Sequence, residues 1–316
     1  MTNLAILGII VTYNPPSDIL GNLFVLSMQV KKVLIVDNAS DINFRNLIKN
    51  EVKHNGLWLE VIFNKSNLGI SRALNQGFAW AIAHGYDYVI TFDQDSTLSP
   101  DMIQKMLVVY NTHPEGKNIA IVAPNVKNAH SSISTLYLQP RNKFLFERIP
   151  CQKENINNVS LAITSGSLCN ISAYQEIGGF REDFFIDYVD IEYCLRAKKL
   201  DYKIIVACEA ILYHQLGNQQ TKKIGTFTLN PTFHSPIRWY YINRNRMVMY
   251  RLYAIMYPYW ALYDFMSSCS LLLRMFLFED QKLRKIFAFF LGVVDGIFGR
   301  MGQITAYREA QILGRK

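Results

Sequence analysis

The sequence has little of what marks the commonest nucleotide- and metal-binding folds. Its five cysteines, Cys151, Cys169, Cys194, Cys208 and Cys269, show no CxxC spacing and are odd in number. Neither a structural zinc site nor a disulfide framework is therefore expected, and a reducing compartment is the natural setting. No GxGxxG follows the first apolar run and no GxxxxGKS/T occurs anywhere, which disfavours dinucleotide dehydrogenases and P-loop NTPases. The glycine-rich loop of a sugar nucleotidyltransferase is missing too. Met1-Thr2-Asn3 lacks a basic secretory n-region, and no uncharged apolar stretch reaches the ~18 residues of a confident membrane span. Acidic residues are absent between Glu209 and Asp264, and no internal repeat is visible.

What is present points to a folded chain. With 316 residues, half of them apolar, there is enough chain for one large domain or two ordinary ones, and a disordered or collagen-like polymer is excluded. Lys plus Arg outnumber Asp plus Glu by 33 to 25, a formal charge of +8 that suits a nucleotide diphosphate, a membrane surface or a nucleic acid. Nucleic acid is disfavoured, because no basic–aromatic recognition module accompanies the charge.

The first 125 residues alternate between two hydrophobic periods. Leu4–Val11, Val33–Val36, Leu59–Phe63, Tyr88–Phe92 and Ile119–Ala123 read as buried strands. Ser17–Gln29, Ile42–His54, Ser71–His84 and Pro100–Asn111 have helical length, with Ser71 and Ser99 as expected N-caps and Pro100 at a first helical position. Such βα alternation predicts a mostly parallel α/β sheet with helices on both faces and a ligand crevice at the carboxyl ends of its strands. Residues 126–162 read as an excursion of irregular strands, and a helix is expected from Val189 through Lys199.

The strand ends are polar. Thr12-Tyr13-Asn14 follows the first strand, and Asp37-Asn38 follows the second. Asp37 in the crevice could accept from a base imide or a ribose hydroxyl, with Tyr13 offering a ring; an Asx-type turn is the plain alternative. Asn67-Leu68-Gly69 and Arg72 follow the third strand, where Gly69 allows close backbone approach and the next helix offers its positive end to a phosphate. The fourth strand ends in Asp93-Gln94-Asp95-Ser96, and the repulsion of two such carboxylates is relieved by a hard divalent cation bridging to phosphate.

The longest informative stretch is Gly178-Gly179-Phe180 through Phe185-Ile186-Asp187-Tyr188-Val189-Asp190-Ile191-Glu192 to Arg196, preceded by Ser165-Gly166-Ser167 and followed by His214-Gln215-Leu216-Gly217. Together with the strand-end motifs, in unbroken order from residue 4 to about 250 and ending at Arg244-Asn245, it resembles the family 2 glycosyltransferases of GT-A fold. More narrowly it resembles their bacterial rhamnosyltransferase branch. The C-terminal 65 or so residues match in character only.

The resemblance implies roles. Asp37 would read the base, Asp93 would act near the ribose or through water, and Asp95 would hold Mg2+ or Mn2+ on the donor diphosphate with His214 completing the shell. Asp190 takes the position of the general base. Relatives carry an acid just before it where this chain has Val189, so Asp187 is a candidate for part of the role. Ser165, Gly166, Asp187 and Arg244 are expected in the site on the acceptor side or in another role. The plain alternatives are an N-cap or a partner of Arg196 for Asp190, and a satisfied core residue for His214; His54, His84, His113, His130 and His234 are read as structural. One base with no carboxylate nucleophile corresponds to single displacement with inversion.

The expected architecture is a GT-A catalytic domain over 1–217 and a basic, aromatic, helical region over 218–316. By resemblance the donor is dTDP-L-rhamnose, with UDP-galactofuranose or UDP-glucose as alternatives, and the acceptor is a lipid-linked glycan of bacterial cell-surface polysaccharide. A non-catalytic glycan- or lipid-binding scaffold is the competing class. In the tail, Leu252–Tyr263, Phe265–Leu273 and Ile286–Val294 are apolar runs, the first two broken by Asp264, and Lys282-Leu283-Arg284-Lys285 is basic. None is long enough to span a bilayer. They are expected to lie on the cytoplasmic face of the inner membrane, with Tyr257, Tyr259, Trp260 and Tyr263 at the interface. The alternatives are packing as an ordinary subdomain or seating a second copy in a homo-oligomer.

Overall fold

The structure, a computed structural model, describes residues 5–16, 19–56, 58–128, 135–214, 222–224, 227–229 and 231–315. Ser17, His130 and Gln215-Leu216-Gly217, with the expected domain border at 217, lie outside the described residues. The chain packs as two units. One contains residues 1–139, 148–182 and 189–215, and the other contains 140–147, 183–188 and 216–316.

The first unit is built on an eight-stranded sheet. Its strands are β1 (Ile6–Thr12), β2 (Lys32–Asp37), β3 (Leu59–Phe63), β4 (Tyr88–Asp93), β5 (Ser96–Leu98), β6 (Ile119–Asn128), β9 (Leu168–Asn170) and β10 (Lys203–His214), in the order β3-β2-β1-β4-β9-β6-β10-β5; β7 (Leu136–Pro140) and β8 (Phe146–Pro150) form a separate ribbon. All five apolar runs of the sequence are strands. They read as continuous hydrophobics because most of their side chains are buried, Val33 to Val36 completely. The sheet is mixed, since the short β9 runs antiparallel to both β4 and β6, and β5 antiparallel to β10.

The helices are α1 (Ile19–Ser27), α2 (Ile42–Asn55), α3 (Ile70–Ala83), α4 (Met102–Thr112), α5 (Ile171–Ile177) and α6 (Val189–Lys199). α2 is capped by Asp41, whose carboxylate accepts the Phe44 N–H at 2.9 Å. α6 has Asp190 and Glu192 in its first turn and Arg196, Lys198 and Lys199 in its last, complementing its dipole at both ends. Two expected caps are corrected. Gly69, at φ +84, caps α3, so Ser71 lies buried inside the first turn; Asp101 occupies the cap position of α4, two residues after Ser99 and past Pro100. The Asn67 side chain accepts the Gly69 N–H at 2.9 Å and turns the chain early, which is why α3 starts before Ser71.

A second correction concerns the cysteines. Cys151 and Cys208 are joined in a disulfide across 57 residues of sequence. Their partnership is tertiary, since the segment after β8 lies along β10 through an Ile156–Val206 bridge, and no sequence spacing announces it. Cys169 and Cys194 are buried thiols, and burial pushes Cys169 up to about 12, so neither is a ready nucleophile.

The second unit holds α7 (Pro236–Tyr253), α8 (Pro258–Phe278), α9 (Lys282–Ile297), α10 (Ala306–Leu313) and the hairpin of β11 (Lys222–Ile224) with β12 (Phe227–Leu229). Its core is Trp239, Tyr240, Tyr241, Met275, Ala288 and Ile312. Gly292 and Gly296 let α9 lie directly on α7, because a Cβ at either would strike the carbonyl oxygens of Tyr240 or Arg244.

Here the expected segmentation of the tail is overturned. The helical break falls at Pro258, and α8 runs unbroken through Asp264 for 21 residues. Asp264 is tolerated because it accepts from Arg246 Nε at 3.0 Å, Tyr188 Oη at 2.7 Å and Tyr250 Oη at 2.8 Å. Contrary to the reading of short runs, α8 is long and apolar enough by length and composition to cross a membrane. Trp260 and Tyr259 are buried rather than interfacial, and Lys285 turns inward to Glu279 at 2.7 Å.

Candidate active site

The site forms at the carboxyl ends of β1, β2, β4 and β10. β4 ends at Asp93, and the chain turns through Gln94 and Asp95 into β5, whose first residue, Ser96, pairs directly with His214 at the end of β10. This turn brings one ligand atom each of Asp93, Asp95 and His214 within 4.8 Å of one another. His214 Nε2 lies 3.9 Å from Asp93 Oδ2, and Nδ1 lies 3.5 Å from Asp95 Oδ1. Two carboxylates and an imidazole fit a divalent cation that prefers oxygen and accepts one nitrogen. Asp93 thus stands beside the expected pair, Asp95 and His214, as a third potential ligand.

Below the turn is a hydroxyl relay. Ser165 Oγ accepts the Asp93 N–H at 3.0 Å and sits 2.7 Å from Ser96 Oγ, which lies 2.8 Å from His214 Nδ1. Ser165 is buried and supports the acidic turn from underneath. Gly166, at φ +76, donates its N–H to the Thr91 carbonyl, and a Cβ there would collide with Pro124 and Leu212. Its requirement is also one of packing.

The ends of β1 and β2 are joined by Asp37. Its fully buried carboxylate accepts from Thr12 Oγ1 at 3.2 Å, from the Ser40 N–H at 3.2 and 3.3 Å, and from Arg45 Nε at 2.9 Å. Asp37 therefore faces Arg45 rather than an open crevice. Asn38 is buried as well, accepting from Asn64 Nδ2 and the Leu68 N–H and donating to the Gly69 carbonyl. Asn14, at φ +46, ties two loops: its N–H donates to Ser40 Oγ at 2.8 Å and its Oδ1 accepts the Asp41 N–H at 2.9 Å. Tyr13 is half exposed at the mouth of these loops. With the Gly69 N–H spent on Asn67, that amide is not directed at a phosphate. Arg72, exposed, lies 3.7 Å from Glu182.

Asp190 is half-buried in the first turn of α6, its Oδ1 near its neighbour's N–H (Ile191 N, 2.8 Å). It lines a small cavity together with Thr91, two residues before Asp93 on β4, and Thr164. Arg196 is bound to Glu192 and to the carbonyls of Ile177, Gly178 and Gly179. In the second unit, Asp187 pairs with Arg238 at 2.9 Å. Arg244 is fully buried there, donating to the carbonyls of Phe184, Asp183 and Gly302.

The sequence reading missed Gln94, Ser96, Arg45 and Ser40 as parts of the site. Gln94 and Ser96 stand in the acidic motif and Ser40 closes the Asp37-Asn38-Ala39-Ser40 run, so their places had a signal though their roles did not; Arg45 becomes visible only when its helix docks.

An acidic pair after a central strand, a histidine closing it from the last strand, and a mixed sheet with helices on both sides define a GT-A glycosyltransferase. The glycosyl transferase family 2 model matches residues 9–178, and the chain belongs to that family. It is 28% identical over 254 residues to the dTDP-rhamnosyl transferase RfbF of Shigella flexneri, covering 79% of this chain and 81% of that one. It is 24% identical over 205 residues to the low-salt glycan biosynthesis hexosyltransferase Agl10 of Haloferax volcanii, covering 62% of each. Among solved structures it resembles GalNAc-T7 with UDP, GalNAc and Mn2+ (TM-score 0.59, 12% identity, 82% of this chain) and TarS of S. aureus (TM-score 0.57, 16% identity, 97% of this chain). The chain spans half the length of each of these two structures.

Proposed function

We propose that this glycosyltransferase moves L-rhamnose from dTDP-L-rhamnose, with inversion, onto a lipid-linked glycan during assembly of a bacterial surface polysaccharide. The observation that carries the reading is the Asp93–Asp95–His214 cluster at the strand ends, in a chain related along most of its length to a dTDP-rhamnosyl transferase.

In this reading Asp95 and His214, with Asp93 beside them, hold the metal. A bound Mg2+ or Mn2+ would supply Lewis-acid neutralisation of the charge on the leaving nucleoside diphosphate. The exposed ring of Tyr13 and the backbone of Thr12 and Asn14 receive the base. Asp37 acts from below, keeping those loops in register. Asp190 takes the proton of the acceptor hydroxyl as that oxygen attacks the anomeric carbon from the face opposite the diphosphate.

The acceptor's lipid anchor is supported by the second unit, where α8 and α9 leave Leu262, Phe265, Met266, Leu273, Phe276 and Phe290 exposed, with Lys282 and Arg284 exposed at the start of α9. The full chain should sediment with anionic vesicles and release at high salt; indifference to vesicles would remove the membrane from this reading.

Single-turnover assays with a panel of dTDP- and UDP-sugars test the donor, and NMR of the product's anomeric centre tests inversion. Preference for a UDP-sugar would replace the rhamnose assignment, and a retained configuration would remove the single-displacement mechanism.

A further inference from the structure

The hydroxyl of Ser96 is the shortest side-chain contact described for His214, 2.8 Å from Nδ1, with Asp95 Oδ1 3.5 Å from the same nitrogen. It is not an exposed group that happens to be near. Ser96 and Ser165 are both buried, their Oγ atoms are 2.7 Å apart, and Ser165 also accepts the main-chain N–H of Asp93. The serine stands opposite the histidine in the antiparallel pairing of β5 with β10, so the backbone sets their approach. One continuous chain of polar atoms thus runs from the amide of one acidic residue to the ring of the histidine.

We propose that Ser96 is a positioning residue that fixes the rotamer and tautomer of His214. This inference rests on the metal reading of the Asp93–Asp95–His214 cluster. Ser96 Oγ accepts the Nδ1–H of the ring and donates its own O–H to Ser165 Oγ. The unprotonated Nε2, 3.9 Å from Asp93 Oδ2, is then the nitrogen offered to a divalent cation. A metal-binding histidine needs its second nitrogen satisfied, and here a neutral hydroxyl fills the place that a carboxylate or backbone carbonyl takes elsewhere. Asp93 and His214 are adjusted together, because Ser165 touches the amide of the first and, through Ser96, the ring of the second.

The test is a double-mutant cycle on the full chain, read as binding of Mn2+ alone by electron paramagnetic resonance, with folding checked by circular dichroism. Ser96→Ala should weaken Mn2+ binding by about tenfold, the usual scale for losing such a partner, and Ser96→Thr should restore most of it. Ser96→Ala combined with His214→Ala should bind no more weakly than His214→Ala alone, since the serine acts through the ring. Additive losses would overturn the proposal, as would a Ser96→Ala protein with wild-type Mn2+ affinity. Absence of Mn2+ binding by the wild-type chain would remove the metal reading itself, and this inference with it. A Ser96→Ala chain that does not fold leaves Ser96→Thr to decide: weakening there as severe as His214→Ala overturns the role.

Discussion

Gln94 Oε1 accepts the backbone N–H of Tyr13 at 3.0 Å, across 81 residues of sequence. The residue between the two acids is thereby fastened to the loop after β1. The acidic turn and the loop that carries the half-exposed ring of Tyr13 are therefore joined by a direct hydrogen bond. Hydrogen bonds of this kind contribute about 1 kcal/mol net, enough to bias a loop and too little to lock it.

Asp190→Asn keeps the shape of the side chain and removes its ability to take a proton. Turnover should fall by ~10²–10⁴-fold while donor binding changes little. Turnover close to that of the wild type would take Asp190 out of the role and direct attention to Asp187.

Asp95→Ala should weaken donor binding and abolish the response to added Mg2+ or Mn2+, because carboxylate and diphosphate would bind the ion together. Chelator titration is the simplest check. Full activity after dialysis into excess EDTA would contradict metal dependence.

Asp37 lies fully buried against Arg45, so its removal leaves a partly enclosed guanidinium without its carboxylate. Asp37→Ala should lower stability by about 2–4 kcal/mol, the scale for breaking such a pair, and shift the urea midpoint accordingly. An unshifted midpoint with lost donor binding would return Asp37 to direct base recognition.

His234, in the second unit, has its pKa lowered from 6.5 to about 4, first by burial and then by the nearby charge of Arg238. Asp187 and Glu279 oppose the shift, and Lys285 adds to it. Between these two values the unfolded chain binds a proton that the folded chain refuses. The stability carried by the neutral ring is complete above pH 6.5 and declines as the pH falls towards 4. His234→Gln should flatten that acid slope in denaturant midpoints measured at pH 7 and 4.5. Equal slopes in the two proteins would show that the ring does not titrate in this window.

The sequence made the alternation of β1 to β4 with α1 to α3 legible because apolar period is set locally, and α6 was expected at the bounds it adopts, Val189–Lys199. The acidic pair and His214 were legible from their places after strands. What could not be read depends on side chains meeting from afar. Asp37 looked like an open acceptor because Arg45 is eight residues on and reaches back only after α2 has docked. Ser71 and Ser99 looked like caps because their residue type suits the role, yet α3 is capped before Ser71, at Gly69, and α4 after Ser99, at Asp101. Asp264 looked like a helix break because its partners Arg246, Tyr188 and Tyr250 lie outside its own run.

The pairing of Ser96 with His214 also orders events in time. These residues are 118 positions apart, so a chain emerging from the ribosome carries both acids long before the histidine that joins them. Closing so wide a loop is slow compared with forming the local βα units. The three-residue β5 can hold only one useful register against β10, because a slip of one position would put a residue other than Ser96 opposite the histidine. Completion of the acidic cluster is therefore a late signature of correct folding, and a molecule whose last strand is misplaced carries two aspartates without the ring that unites them.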